Sequence, residues 1–149
     1  MLLDKIKKYF GIKELVCKHV YERHGSTAWT FFDPRLLETI LFIREGIGRP
    51  IYVNNWSRGG SLSQRGLRCN LCQLVKDKTD SDKLYMSAHN QGMGIDFDVN
   101  GMSAKQVRNW IKEHQEELPH PIRVEEDVNW VHIDVRSDDS KKKLTWFKG

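Results

Sequence analysis

Two segments in which apolar and titratable residues alternate constrain the fold most. The first, Gly94–Val99, alternates β-branched or aromatic residues with Asp96 and Asp98, and the second, residues 130–136, alternates Val and Ile with His132 and other polar residues. Because successive side chains of a strand point to opposite faces, each segment predicts a strand with one apolar face and one titratable face. If the two strands lie in one sheet, Asp96 and His132 point into a single cleft.

Helix signals before and between these strands predict an α+β fold. Asp33 followed by Pro34 is typical of a helix start, and Gly48 lies where that helix should end. Ser103 and Gln106 form a capping box that opens a later helix. We expect a small antiparallel sheet with helices packed on one side. Further elements are predicted at residues 4–10 (helix), 51–55 (strand) and 122–125 (strand).

Length and composition indicate one domain, residues 1–149. A hydrophobic content of 39% and an aromatic content of 10% exclude a disordered chain, and a core of this size needs no disulfide. The net charge of +4 is mild and does not require a nucleic-acid partner. Residues 57–83 are predicted to be a long functional loop, and residues 137–149 a solvated basic tail.

Neither a membrane span nor an export signal is predicted. No stretch approaches the roughly 18 apolar residues of a membrane span. Asp4 and three nearby lysines interrupt the N-terminal stretch where a signal peptide needs an apolar run. The three cysteines are therefore expected to be reduced thiols.

Three residues form a candidate zinc site. His89 lies in a loop that leads into Asp96, and Gly92 and Gly94 allow the backbone to turn tightly there. Together with His132 they supply two imidazoles and one carboxylate, which leave a fourth position open to water on a tetrahedral zinc ion. Calcium and magnesium prefer more oxygen ligands. The sequence therefore predicts one zinc ion per chain, held by His89, Asp96 and His132.

Two motifs carry a resemblance to a known family. They are Ser87-x-His89-x-x-Gly92-x-Gly94-x-Asp96 and Trp130-x-His132. With this pair, residues 12–136 resemble the zinc D-Ala-D-Ala carboxypeptidase superfamily. That superfamily includes vancomycin-resistance dipeptidases, phage L-alanyl-D-glutamate endolysins and the hedgehog signalling domain.

The resemblance implies a zinc metallopeptidase that hydrolyses a peptide bond in peptidoglycan stem peptides. The bond would be that of a D,D-carboxypeptidase or of an L-alanyl-D-glutamate-type endopeptidase. Arg58 is implied to hold a substrate carboxylate or to polarise the scissile carbonyl, which suits a bidentate guanidinium. We expect a monomer with no nucleic-acid or membrane partner, either cytoplasmic until its release to the bacterial cell wall or carried by a phage virion.

The general base is open among the acidic residues before His132. Family members have an acid three positions before the last zinc histidine, where this chain has Asn129, or six positions before it, where this chain has Glu126. Asn cannot accept a proton, so Glu126 is the predicted base. Asp127 is second and Glu125 third.

Asn129 also motivates a second hypothesis, a non-catalytic zinc-stabilised binding or virion structural module on the same fold. A third, nucleic-acid binding, rests on charge and on the pair Cys69-x-x-Cys72. With Cys17 and His19, that pair would supply four ligands for a structural zinc ion, although free loop thiols are the simpler interpretation.

Overall fold

The computed structural model describes residues 1–79, 84–137 and 141–149. A five-stranded sheet in the order β1-β2-β4-β3-β5 is combined with six α-helices in this part of the chain, which confirms the α+β class. The strands are β1 (Ile51–Tyr52), β2 (Gly94–Val99), β3 (Ile122–Glu125), β4 (Val131–Asp134) and β5 (Leu144–Phe147). The helices are α1 (Leu2–Ile6), α2 (Ile12–Leu15), α3 (Lys18–His24), α4 (Pro34–Ile47), α5 (Gln73–Thr79) and α6 (Ala104–Glu113). Short 3-10 helices occupy Gly25–Phe31, Trp56–Arg58 and Gln115–Glu117.

The antiparallel pair β2 and β4 forms the centre of the sheet. Ile95 lies opposite Ile133 and Phe97 opposite Val131. All four side chains are buried in the hydrophobic core, to which α4 and α6 also contribute. The other face of the same two strands is left for polar side chains, as the alternation predicts.

The predicted helix starts are confirmed. The Asp33 side chain accepts a hydrogen bond from the Arg35 backbone N–H at 2.9 Å, and α4 ends at Gly48, whose φ is 74°. Ser103 and Gln106 form the reciprocal capping box, with hydrogen bonds of 2.8 and 3.1 Å. Both helices therefore begin where a side chain satisfies their first backbone donors.

The C-terminal segment differs from its prediction. Leu144–Phe147 is a strand that pairs in parallel with β3, so the sheet is mixed rather than antiparallel and this part of residues 137–149 is not a solvated tail. The physical reason is that Leu144 is buried at the edge of the core and that Lys143 Nζ donates to the Leu118 carbonyl at 2.7 Å. Residues 138–140 lie outside the described part of the chain.

Three other predicted elements differ in extent. Residues 57–83 are not one loop, because α5 lies within them and buries Val75; residues 80–83 lie outside the described part. The first helix ends at Ile6, and the strand predicted at residues 51–55 is limited to Ile51–Tyr52. Within the described residues, none of the helices has the length and apolar character needed to cross a membrane.

Gly92 fixes the turn that carries His89 against the start of α4. Its φ is 68°, and its carbonyl accepts the Asp33 backbone N–H at 2.9 Å. A Cβ added to Gly92 would collide with the Phe31 carbonyl oxygen. Gly48 also has a positive φ, of 74°, but a Cβ added there would contact no atom within 4 Å.

We predict that Gly92→Ala destabilises the protein more than Gly48→Ala does. Left-handed backbone alone should cost Gly48→Ala about 1–2 kcal/mol. The collision with fixed backbone should bring the loss for Gly92→Ala to about 3 kcal/mol or more. Urea unfolding of the two variants measures the loss in the free energy of unfolding. Equal losses would show that the close approach of Gly92 to Phe31 does not add to the cost of the substitution.

Candidate metal centre

Asp96 and His132 meet across the centre of the sheet. They are register partners in β2 and β4, on the face opposite the apolar residues. His132 Nδ1 lies 2.7 Å from Asp96 Oδ1, and both residues are buried. The predicted meeting of these two side chains in one cleft is confirmed.

The turn before β2 brings His89 to the same place. His89 Nε2 lies 3.3 Å from Asp96 Oδ2, and the rings of His89 and His132 are 5.2 Å apart. His89 Nδ1 is 2.9 Å from the Gly66 carbonyl oxygen. Because a carbonyl oxygen only accepts, Nδ1 carries a proton, which leaves Nε2 as the nitrogen that would bind a metal ion.

These three residues fit a zinc ion. One ligand atom from each of His89, Asp96 and His132 lies within 4.8 Å of the others. Two imidazole nitrogens and one carboxylate oxygen are ligands that zinc accepts, and three of them leave a coordination position for water. We refer to these residues as the triad.

Asp134 and Arg123 support the triad on the side of His132 that faces away from Asp96. Asp134 is fully buried, and its Oδ2 lies 2.9 Å from His132 Nε2. Arg123 donates to both oxygens of Asp134 at 2.8 and 2.9 Å. A carboxylate that orients a histidine through its second nitrogen is a common feature of zinc sites.

Hydrogen bonds, rather than burial, set the charges at this site. Burial alone would raise the pKa of Asp96, but hydrogen bonds from His132 and His89 outweigh it and hold the pKa well below its usual range. Burial likewise disfavours charged His132, yet hydrogen bonds to Asp134 and Asp96 raise its pKa to about 9. Against the same burial, His132 and Arg123 lower the pKa of Asp134 to about 2. A metal ion at the triad must therefore displace a proton from His132.

Two cavities meet at the triad, with volumes of about 480 and 380 Å³. Arg68, Asp96 and Trp130 line both. The larger cavity extends past Arg65, and the smaller contains both triad histidines and Glu125. An extended ligand can therefore run from one cavity to the other across Asp96.

Arg58 is not brought to the triad. Its side chain is 57% exposed, and its guanidinium lies 3.7 Å from Glu14 in a different surface cavity. The arginine at the triad is Arg68, whose guanidinium nitrogen lies 3.4 Å from Asp96 Oδ2. Arg65 is adjacent, since its carbonyl accepts the Asp96 backbone N–H at 2.7 Å. Sequence reasoning missed both, because nothing in the spacing of a polar segment reveals which arginine folds back onto a strand.

Of the three candidate bases, Glu125 is the one that shares a cavity with the triad. Glu126 and Asp127 line another cavity, and Asp127 pairs with Lys148 at 3.3 Å on the surface. Glu125 ends β3, where alternation places it on the same face as Arg123 and hence as His132. The alternation of β3 was the signal in the sequence that could have identified it.

A second group of possible metal ligands is formed by Cys17, His19, Cys69 and Cys72, which could bind a metal ion. His19 Nδ1 lies 3.5 Å from Cys69 Sγ and 3.9 Å from Cys72 Sγ. A hydrogen bond from Cys72 lowers the pKa of Cys17 to about 5, which favours a thiolate. The prediction of one zinc ion per chain counted the triad only, and these four residues form a second group that could bind a metal ion. We refer to them as the Cys/His group.

Searches of protein-family models, of curated proteins and of solved structures found no match to this chain. The superfamily resemblance therefore rests on the two motifs alone, and the geometry of the triad is independent of it.

We predict that Asp134→Asn weakens zinc binding at the triad by about 10–100-fold, because His132 loses the carboxylate that orients its second nitrogen. Competition with a chromophoric chelator at pH 7.5 measures the affinity, and His132→Ala identifies which bound zinc belongs to the triad. The control is Asp98→Asn, which removes a half-exposed aspartate that pairs with Arg65. Equal affinities for both variants would mean that Asp134 does not support the metal.

Proposed function

We propose that this protein is a zinc-dependent peptidase that cleaves an amide bond in peptidoglycan stem peptides, with zinc held by the triad. The observation that carries the proposal is the convergence of three buried ligands at the junction of two cavities. The substrate class, and action at the bacterial cell wall after release from a cell or virion, are supported by the motif resemblance only.

The residues around the triad suit hydrolysis. A zinc ion in such a site supplies Lewis acidity and lowers the pKa of a water molecule toward 7. Glu125 lines the cavity of both histidines and is the candidate to accept a proton from the attacking water and return it to the leaving amine. This assignment replaces Glu126, which faces a separate cavity.

Arg68 and Trp130 are the candidate substrate contacts. Both line the two cavities where they meet, and the Arg68 side chain is mostly buried beside Asp96. A guanidinium in this position can bind the free carboxylate that a stem peptide carries at its end or on a side chain. Trp130 is 37% exposed and offers an apolar wall for the peptide.

We predict that Glu125→Gln lowers kcat for muropeptide cleavage by about 100-fold or more, because the amide cannot accept a proton. Glu126→Gln is the matched control, one residue away and with the same change, and should retain activity within about threefold. Mass spectrometry of digested muropeptides gives the rates and identifies the bond that is cut.

Two results would count against the peptidase, and a third against the choice of the base. If zinc-loaded wild type gives no more cleavage product than His132→Ala, the zinc-stabilised binding module that Asn129 suggests replaces the peptidase. Undiminished cleavage after complete removal of metal would exclude zinc chemistry. A larger loss in Glu126→Gln than in Glu125→Gln would restore Glu126 as the base.

We also predict that Arg68→Ala raises KM for substrates with a free carboxylate by about 10-fold or more, through the loss of a charge-assisted contact. The same variant should change KM for the amidated substrate little, so the ratio of the two separates carboxylate binding from general damage near Asp96. Arg58→Ala is the control, because its partner is Glu14. If Arg68→Ala leaves the ratio of the two KM values unchanged, Arg68 does not bind the substrate carboxylate.

A further inference from the structure

Four sulfur and nitrogen donors from distant parts of the chain meet in a group separate from the triad. Cys17 caps the start of α3 and His19 lies in its first turn, while Cys69 and Cys72 bracket a tight turn before α5. His19 and Cys69 are 50 residues apart in sequence, yet their ligand atoms are 3.5 Å apart. All four ligand atoms lie within 4.8 Å of one another.

The chemistry of this set is that of a structural zinc site. All three cysteines are free, and Cys69 Sγ lies 3.9 Å from Cys72 Sγ, about twice the length of a disulfide bond. Three thiols and one imidazole complete a tetrahedron without an open position for water, which distinguishes structural from catalytic zinc. The Leu71 backbone N–H donates to Cys69 Sγ at 3.4 Å, a contact that supports a thiolate.

The segment that leads into Cys69 also contacts the triad. Gly66 accepts from His89 Nδ1, and Arg65 accepts from the Asp96 backbone N–H. The Arg68 backbone N–H donates to the His89 carbonyl at 3.2 Å. On the other side, Leu67 exchanges backbone hydrogen bonds with residues 15 and 17, of 2.8 and 3.1 Å. Residues 65–72 therefore connect the Cys/His group to the triad.

We propose that the Cys/His group binds a second, structural zinc ion, which fixes residues 65–72 against the start of α3. This ion holds the Gly66 carbonyl and Arg68 where they orient His89 and contact Asp96. The site is separate from the triad, and its metal binding does not depend on the proposed peptidase activity. Binding of this ion would affect the triad by positioning His89 and Asp96.

The first test is metal stoichiometry in the full chain. Freshly reduced protein is loaded with zinc, and bound metal is counted by mass spectrometry under native conditions. We expect two zinc ions in wild type, and one each in His132→Ala and in Cys69→Ser. Cobalt alone should give a thiolate-to-cobalt charge-transfer band in wild type and in His132→Ala, and a clearly weaker one in Cys69→Ser. A wild type with no thiolate band, or a band of undiminished intensity in Cys69→Ser, would overturn the second site.

Two further measurements avoid reliance on a cysteine variant that fails to fold. In wild type, zinc should protect all three thiols from alkylation. His19→Ala, which removes an exposed ligand from the surface, should bind cobalt at least about 10-fold more weakly with three thiolates remaining. Thiols alkylated at the same rate with and without zinc would contradict the proposal.

Amide hydrogen exchange tests the positioning of the triad. In His132→Ala, which removes a ligand from the triad only, zinc should slow exchange of the Leu67 and Arg68 amides by about tenfold or more. The Asp96 amide, which donates to Arg65, should respond in the same way. Zinc that binds the thiolates but leaves these rates unchanged would show that the ion does not fix residues 65–72.

Discussion

The antiparallel register of β2 and β4 is the constraint on which the site depends. With Ile95 opposite Ile133, alternation places Asp96 directly opposite His132 on the other face. A slip of one residue would send these polar side chains into the core and the apolar ones into the cleft. The hydrophobic core therefore specifies the position of the triad, because the residues that fix the register are fully or almost fully buried.

Burial at the triad is tolerable because its charges are paired. Asp96 and Asp134 are buried carboxylates, and protonated His132 lies between them with hydrogen bonds of 2.7 and 2.9 Å. Unpaired, each carboxylate would be costly in a medium of low polarity. A divalent cation can satisfy the charge of Asp96 while His132 becomes neutral, with Arg123 still compensating Asp134. The same cluster could thus hold either a proton or a metal ion, and the two would compete for His132.

The sequence predicted what local periodicity determines and missed what depends on the path of the chain. The faces of β2 and β4, and with them Asp96 and His132, followed from alternation, and both helix caps followed from side-chain chemistry. Arg58 failed as a triad neighbour because a loop residue's direction is set by distant contacts, here with Glu14. The prediction of Glu126 relied on a family spacing, whereas strand alternation places Glu125 on the face of the triad. The parallel pairing of β5 was hidden by three lysines that resemble a solvated end.

The polar segment after β1 contacts both the triad and the Cys/His group. Between residues 57 and 79 the buried apolar side chains are Leu67, Cys72 and Val75, too few to offset the entropy lost when such a segment is ordered. Backbone hydrogen bonds to α2 and β2 hold part of it, yet the triad requires the Gly66 carbonyl at a fixed position. The metal ion proposed for the Cys/His group would link this segment to α3 and order it without a larger core. Two cysteines of this segment belong to the Cys/His group, and its Gly66 carbonyl contacts His89. The position of His89 therefore depends on how well the segment is ordered.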